Sequence, residues 1–528
     1  MRPRWGMISL VGGLVTVAFV TGGWLSRPEP AATDNVYQQA RLFEDMLSAI
    51  RAHYVDSISE PELYFRATSG TVDHLRDPYS VLLVGDDYKR YTERLSGTAD
   101  GLGLQLDLRG QRLVVVGATP GSAAERDGVQ AGDHLLTVNG EPTKGWNVER
   151  TATRLRAEAG DTVTITVARQ GLDAPVTYRL VSGPLHVPAA SPGLVVTDSA
   201  GSPLADSVGV VALSVVSAGA AEELTRSVDA LYEQGIRRLV LDLRSNPGGV
   251  LSQGIALAEL FLDEGRRVGT MQGRTERQTT VYTAEREQRW PDLDVALLVN
   301  GATASAAEIL AGALQDHDRA VVVGSPTLGK GAVQGTIPLG RDVAVKLTTA
   351  RWLTPSGRGI QRPLPGLDIA PDSASRFRTE SGRPLPDASG ILPDVPVEPR
   401  RMGPAERALR LALGGDLSGY RDALAAYAAD LRDSGTVTGE EFAVSPAMLR
   451  EVRRRLERES IRVPPGLWRD ADEVVARDLG EEIARAVGGD DAVRRRRLSD
   501  DRQLWAAVAV LQAPPAADSV AVDTTTAE

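Results

Sequence analysis

Cysteine is absent, which excludes thiolate zinc sites, cysteine nucleophiles and disulfide frameworks, so the fold must stand on packing alone. Histidine is scarce. The five residues His53, His74, His134, His186 and His317 form no pair with metal-ligand spacing, and no metal site is expected. An excess of basic charge is missing too: the formal net charge is −11, which argues against a nucleic-acid partner. The local exception, Arg494 to Arg497, reads as a solvated helix end beside Asp500 and Asp501. No internal repeat of convincing period is present.

What is present suggests several cores, about three domains for 528 residues that are 42% hydrophobic. Arg2 and Arg4 precede Trp5 to Leu25, a stretch without a charged residue, long enough at 1.5 Å per residue to cross a bilayer. It reads as an uncleaved anchor, with the N-terminus in the cytoplasm and everything after Arg27 outside it, periplasmic in a two-membrane bacterium. Residues 1–34 are therefore anchor and linker, and 35–95 a small helical subdomain whose first helix is amphipathic through Leu42, Met46, Ile50 and Tyr54. Within it, Asp77 to Ser80 (D-P-Y-S) is a turn signal.

Residues 96–182 read as a β-rich module, with short runs at Leu113–Val116, Leu135–Val138 and Val163–Val167 and one helix near Val148–Ala157. From 183 to 400, strands at Val208–Leu213, Arg238–Leu243 and Val295–Asn300 alternate with helices at Ala220–Gln234, Val250–Leu262 and Ala304–Asp316. That alternation predicts an α/β core with covered sheets. Residues 401–512 turn helical and charge-rich, and 513–528 has the composition of a disordered tail.

Three junctions carry chemistry. Leu241 to Gly249 (L-D-L-R-S-N-P-G-G) ends a buried strand and enters a helix, where two glycines can leave N–H groups free to stabilise an oxyanion. Read alone, it is a tight strand-to-helix turn. Asn300 to Ile309 (N-G-A-T-A-S-A-A-E-I) is a second such junction, with Ser305 in or near the first helical turn and the Ala306 N–H close by. Read alone, Ser305 is an N-cap serine. Pro326 to Gln334 (P-T-L-G-K-G-A-V-Q) sets Lys330 between glycines in a loop, the usual setting of a solvated lysine.

Gly101 to Leu104 (G-L-G-L), followed by Pro120 to Gly140, resembles a PDZ domain. In that family Gly101, Leu102, Gly103 and Leu104 would turn amides toward a peptide carboxylate, and the strand beyond would pair with the peptide. Together with D-P-Y-S, the three junctions, Thr354 to Gln361 (T-P-S-G-R-G-I-Q) and Gly390 to Val395 (G-I-L-P-D-V), the chain resembles the carboxy-terminal processing, or tail-specific, serine peptidases from about residue 36 to 400. The resemblance implies a crotonase-like (ClpP/crotonase-type) α/β core with an inserted PDZ module, an N-terminal helical subdomain and a C-terminal helical extension. It implies Ser305 as nucleophile, Lys330 as base and Gln334 orienting the lysine. Ala306 with Gly248 or Gly249 would supply the oxyanion amides, and Asp316, Glu308 and Thr327 would support the site.

Two departures from the family pattern are visible: alanine at 307, where serine is common, and an insertion near Pro363 to Pro386. His317 follows Asp316 and is read as satisfied or solvent-facing rather than catalytic. The implied partners are protein or peptide substrates with apolar C-termini and a membrane at the N-terminus, with no cofactor. A homo-oligomer is left open. Two rival readings stand beside this one: an inactive PDZ scaffold on a peptidase-like fold, and a crotonase-type acyl-CoA enzyme suggested by the fold alone.

Overall fold

A computed structural model describes residues 36–109, 112–169, 171–196, 207–363, 377–386, 390–413 and 417–513. The expected anchor, its linker and all but Ala513 of the expected tail lie outside them. Among the described residues no helix is long and apolar enough to cross a membrane. The chain divides into two compact units, Met1–Leu82 and Leu83–Glu528.

In the first unit, α1 (Val36–His53) packs on α2 (Glu60–Asp73), which Ser59 caps by accepting the Glu62 amide. The buried residue of α1 is Leu47, while Leu42, Met46 and Tyr54 of the expected apolar stripe are exposed. One partner helix covers only a narrow stripe of its neighbour. The D-P-Y-S turn forms, with Asp77 accepting the Tyr79 amide at 3.0 Å and the Ser80 hydroxyl at 2.6 Å.

The β-rich module lies in the second unit, after a helix at Asp86–Ser96. Strand β1 (Thr98–Gly101) pairs with β7 (Gly183–His186) to form its stem. Between them, β2 (Leu104–Arg109), β3 (Arg112–Ala118), β4 (His134–Val138), β5 (Thr162–Ala168) and β6 (Val176–Val181) pair antiparallel in the order β2-β3-β4-β5-β6. β2 is an edge strand, and α3 (Val148–Leu155) packs against it. Leu113, Val115, Ile165 and Val167, at alternate positions, fill the module's core.

The α/β core is a six-stranded sheet. Its strands are β8 (Leu194–Val195), β9 (Val208–Ala212), β10 (Arg238–Asp242), β13 (Asp294–Val299), β14 (Ala320–Gly324) and β17 (Val395–Pro396), in that order, parallel except for β8. Helices α4 (Ala220–Tyr232), α5 (Leu251–Glu259) and α6 (Ala306–Asp316) cover one face, meeting Leu239, Leu241, Val295, Leu297 and Val299. The intervening residues Val240, Ala296 and Leu298 point to the other face. A parallel sheet buried on both sides needs such continuous apolar runs. A second sheet, beside it in sequence, joins β15 (Ala332–Pro338), β16 (Val343–Leu353), β11 (Arg267–Gly273) and β12 (Thr280–Thr283).

After the core come α7 (Pro404–Ala412), α8 (Ser418–Asp433), α9 (Pro446–Arg458), α10 (Pro465–Asp470) and α11 (Asp472–Ser499), around their own apolar cluster. The last helix, α12 (Arg502–Gln512), leaves that cluster: Leu504, Ala507, Val508 and Leu511 pack on the second face of the six-stranded sheet. The Arg494–Arg497 run lies in the last turns of α11 with Arg497 exposed, as expected, but its members are paired rather than only solvated. Arg494 pairs with Asp491, Arg495 with Glu440 and Arg497 with Glu481, while Arg496 lies over the Phe442 ring. Arginine stems cover apolar surface while their heads find carboxylates.

Candidate active site

Chain topology brings the two strand-to-helix junctions together, because β10 and β13 are adjacent parallel strands. Asn300, at the end of β13, accepts the Ser245 amide at 2.9 Å, and the Thr303 hydroxyl donates to the Leu243 carbonyl at 2.8 Å. Fully buried Asn246 donates to the Leu213 carbonyl at 2.8 Å and accepts the Gly248 amide at 2.9 Å, while the Ala304 amide reaches its carbonyl. These asparagines were not singled out in sequence, although both sit inside the motifs. Their amide side chains match the unpaired backbone of tight turns.

The glycines of the first junction are required by space. A Cβ on Gly248, where φ is +80°, would lie 2.7 Å from the Ala306 nitrogen and 2.8 Å from the Ser305 Cβ. A Cβ on Gly249 would lie 2.2 Å from the Val216 carbonyl oxygen. The Gly-Gly turn thus touches the serine junction directly. Since the Gly248 amide is engaged by Asn246, the unengaged amides facing this region, among the described residues, are those of Gly249 and Ala306.

Ser305 precedes α6 with φ +55° and ψ −120°, a conformation rarely adopted by a residue with a side chain. Its amide donates to the Glu308 side chain, as in a capping box. The strained backbone is held by Glu308. Oε2 of Glu308 accepts the Ser305 amide at 2.8 Å and the Lys330 amide at 2.9 Å, while Oε1 accepts the Gly329 amide at 2.8 Å and the Thr327 hydroxyl at 2.5 Å. One carboxylate oxygen therefore ties the backbones of Ser305 and Lys330 together. Burial pushes the Glu308 carboxyl up from the ordinary glutamate range, and the four donors pull the other way.

Thr327 in turn accepts the Ile391 amide at 2.7 Å, which anchors the G-I-L-P-D-V segment. The Lys330 Nζ donates to Gln334 Oε1 at 2.9 Å, across the start of β15. Glutamine accepts this bond without adding a negative charge that would hold the lysine proton.

Asp316 does not join these residues. It ends α6, and eleven residues at 1.5 Å rise put it about 16 Å from Ser305. There it accepts the Arg358 guanidinium at 2.8 Å and the Ser356 amide at 3.0 Å, so it anchors the T-P-S-G-R-G loop. His317 lies at the same far end, its Nε2 donating to the Arg267 carbonyl at 2.7 Å, out of reach of Ser305.

In the β-rich module, Gly101 ends β1 opposite Gly183, the Leu102 side chain is buried in the core, and Gly103 and Leu104 lead into edge strand β2. The Gly103 carbonyl accepts the Thr119 amide. The amides of Leu102 and Gly103 have no acceptor among the described residues.

Residues 207–375 match the model of peptidase family S41, and residues 114–169 that of the PDZ domain. Over 373 residues the chain is 30% identical to a carboxy-terminal-processing protease of Bartonella bacilliformis, covering 69% of this chain and 82% of that one. It belongs to the carboxy-terminal processing serine proteases. A CtpA-like serine protease of Staphylococcus aureus is also 30% identical, with coverage of 70% and 72%. The solved structure of a photosystem II D1 C-terminal processing protease is 24% identical, covering 72% of this chain and 98% of that chain at a TM-score of 0.37. Membership in this protease family sets aside the acyl-CoA reading of the core.

Proposed function

We propose that this protease cleaves protein chains through a covalent acyl-enzyme formed on Ser305, with Lys330 as general base. The neutral Lys330 amine takes the hydroxyl proton as Oγ attacks the scissile carbonyl carbon. The resulting oxyanion accepts hydrogen bonds from the Ala306 and Gly249 amides, and the ammonium returns its proton to the departing amine. Water then repeats the sequence on the acyl group. Gln334 orients the amine, and Glu308 fixes the backbones of nucleophile and base, supported by Thr327.

The observation that carries this reading is the shared Glu308 Oε2, on which the amides of Ser305 and Lys330 converge. The strained Ser305 backbone supports it further, since a sharp strand-to-helix turn exposes a nucleophilic hydroxyl. The six-stranded sheet, with α4, α5 and α6 on one face and α12 on the other, is read as a crotonase-like core. The PDZ module recognises apolar C-termini, pairing them with β2 while the amides at 101–104 meet the carboxylate. The uncharged stretch from Trp5 to Leu25 anchors the enzyme, with its catalytic part outside the cytoplasm.

The test compares wild type with Ser305→Ala on a protein carrying an apolar C-terminal tail and on a short internal peptide. Both activities are expected to vanish in Ser305→Ala. Blocking the tail with a charged residue is expected to slow only the protein substrate; peptidase activity in the alanine variant would refute the nucleophile.

A further inference from the structure

The L-D-L-R-S-N-P-G-G turn does not hold itself in place. Ser245, directly after Arg244, has φ +60°, a strained value for a non-glycine residue that neighbours must enforce. The Arg244 guanidinium is the handle by which they do so. Its Nε and Nη2 donate to Asp242 at 2.9 Å and 2.6 Å. The partners on its remaining side come from α12, far along the chain: Asp501 at 2.6 Å and 3.1 Å, and Gln503 Oε1 at 3.0 Å.

Those partners are themselves fixed. Asp501 caps α12, accepting the Gln503 and Leu504 amides at 3.0 Å and 3.1 Å. Buried Gln503 donates to the Val397 carbonyl at 2.7 Å, next to β17. The apolar side of α12 is seated on the sheet strands that lead to both junctions, β10 and β13. Desolvation opposes the charge on Arg244, but Asp242 and Asp501 outweigh it and keep the guanidinium protonated. Helix α12 lies beyond residues 207–375, which match the peptidase model.

We infer that Asp501, supported by Gln503, is a positioning residue of the peptidase: through Arg244 it sets the turn that presents the Gly249 amide to the oxyanion. The helix that closes the back of the sheet thereby has a part in catalysis. This rests on the reading of Ser305 and the Gly249 and Ala306 amides given above. A displacement of about 1 Å at such a donor suffices for large losses in rate.

The test uses the full-length enzyme and a short peptide substrate, with Asp501→Ala, Val508→Ala and Ser305→Ala side by side. Asp501→Ala is expected to lower kcat roughly 10- to 100-fold with KM nearly unchanged. Its affinity for a peptidyl boronate, whose tetrahedral adduct places an oxygen in the oxyanion site, should fall by a similar factor. Asp501→Asn keeps one acceptor oxygen and the helix cap, and should fall between the two. Val508→Ala loosens the seat of α12 and lowers Tm but should keep kcat. Unchanged kcat and boronate affinity in Asp501→Ala would overturn the inference. So would a loss of kcat in Val508→Ala that tracks its loss of Tm, since the role would then be structural. Activity retained by Ser305→Ala would instead bring down the nucleophile assignment itself.

Discussion

At the N-terminal end of α6, the buried Glu308 carboxylate accepts three amides and a hydroxyl, and the backbone beside it is strained. At the C-terminal end of the same helix, equally buried Asp316 faces the fully buried Arg358 guanidinium, while His317 and Glu380 complete a neighbouring polar mesh. Both carboxylates organise loops, but only the first gathers a serine on a strained backbone and a lysine whose amine meets an uncharged acceptor. Opposite charges at the far end neutralise one another and fasten the fold. At the near end, one carboxylate holds the backbones of a serine and a lysine in fixed places beside each other, which is the condition for chemistry.

Mutations should separate the two ends. The largest effect belongs to the near end: Ser305→Ala is expected to lower kcat by roughly 10³-fold or more, with Tm almost unmoved. Lys330→Ala and Lys330→Arg should be similarly inactive, because arginine stays protonated in proteins. The rate of the wild type should rise with pH, as a lysine base requires, and His317→Ala should leave that profile in place. Near-native turnover in Lys330→Arg would break the comparison.

Glu308→Gln comes next. It preserves shape but turns an NH₂ group toward two of the donors, leaving them without an acceptor. It should cost about 2–4 kcal/mol in denaturant unfolding and at least roughly tenfold in kcat of the folded fraction. At the far end, Asp316→Asn leaves the Arg358 charge buried without its counterion, and about 3–5 kcal/mol of stability should be lost. Turnover per folded molecule should stay within about twofold. A selective loss of kcat there would show that the two ends are not separate.

The smallest effect concerns Glu380, whose carboxyl His317 and Arg266 hold below the ordinary glutamate range. Its folded value is depressed, so its contribution to stability is present above the unfolded glutamate value and disappears as pH falls through the folded one. Because Glu380 is half exposed, solvent screens the pair and the contribution is small. Glu380→Gln should lower Tm slightly at pH 7 and not at all in strong acid. An equal decrease at both pH values would contradict the linkage.

Much of the near end was legible in sequence because each motif is local. Apolar runs bounded by glycine, asparagine and serine mark strand-to-helix junctions, and β9, β10, β13 and their helices fall within a few residues of the expected positions. Their order along the chain, with Lys330 four residues before Gln334, carried the family resemblance. Long-range pairing was not legible. Arg244 and Asp501 are 257 positions apart, and no local pattern announces that an aspartate capping a late helix grips the turn before Gly248. The placement of Asp316 failed for a related reason. The family resemblance gave it a supporting role, but an intact helix carries it to the end opposite Ser305. The exposed stripe of α1 shows the same limit, since periodicity tells which residues share a face, not how much a partner covers.

The most direct measurement is the labelling rate of the intact enzyme by a peptidyl fluorophosphonate, with the modified residue located by mass spectrometry. The account predicts one adduct, on Ser305, forming faster as pH rises, and near-background labelling in a folded Lys330→Ala variant. An adduct on another residue, or a labelling rate unaffected by loss of Lys330, would contradict it.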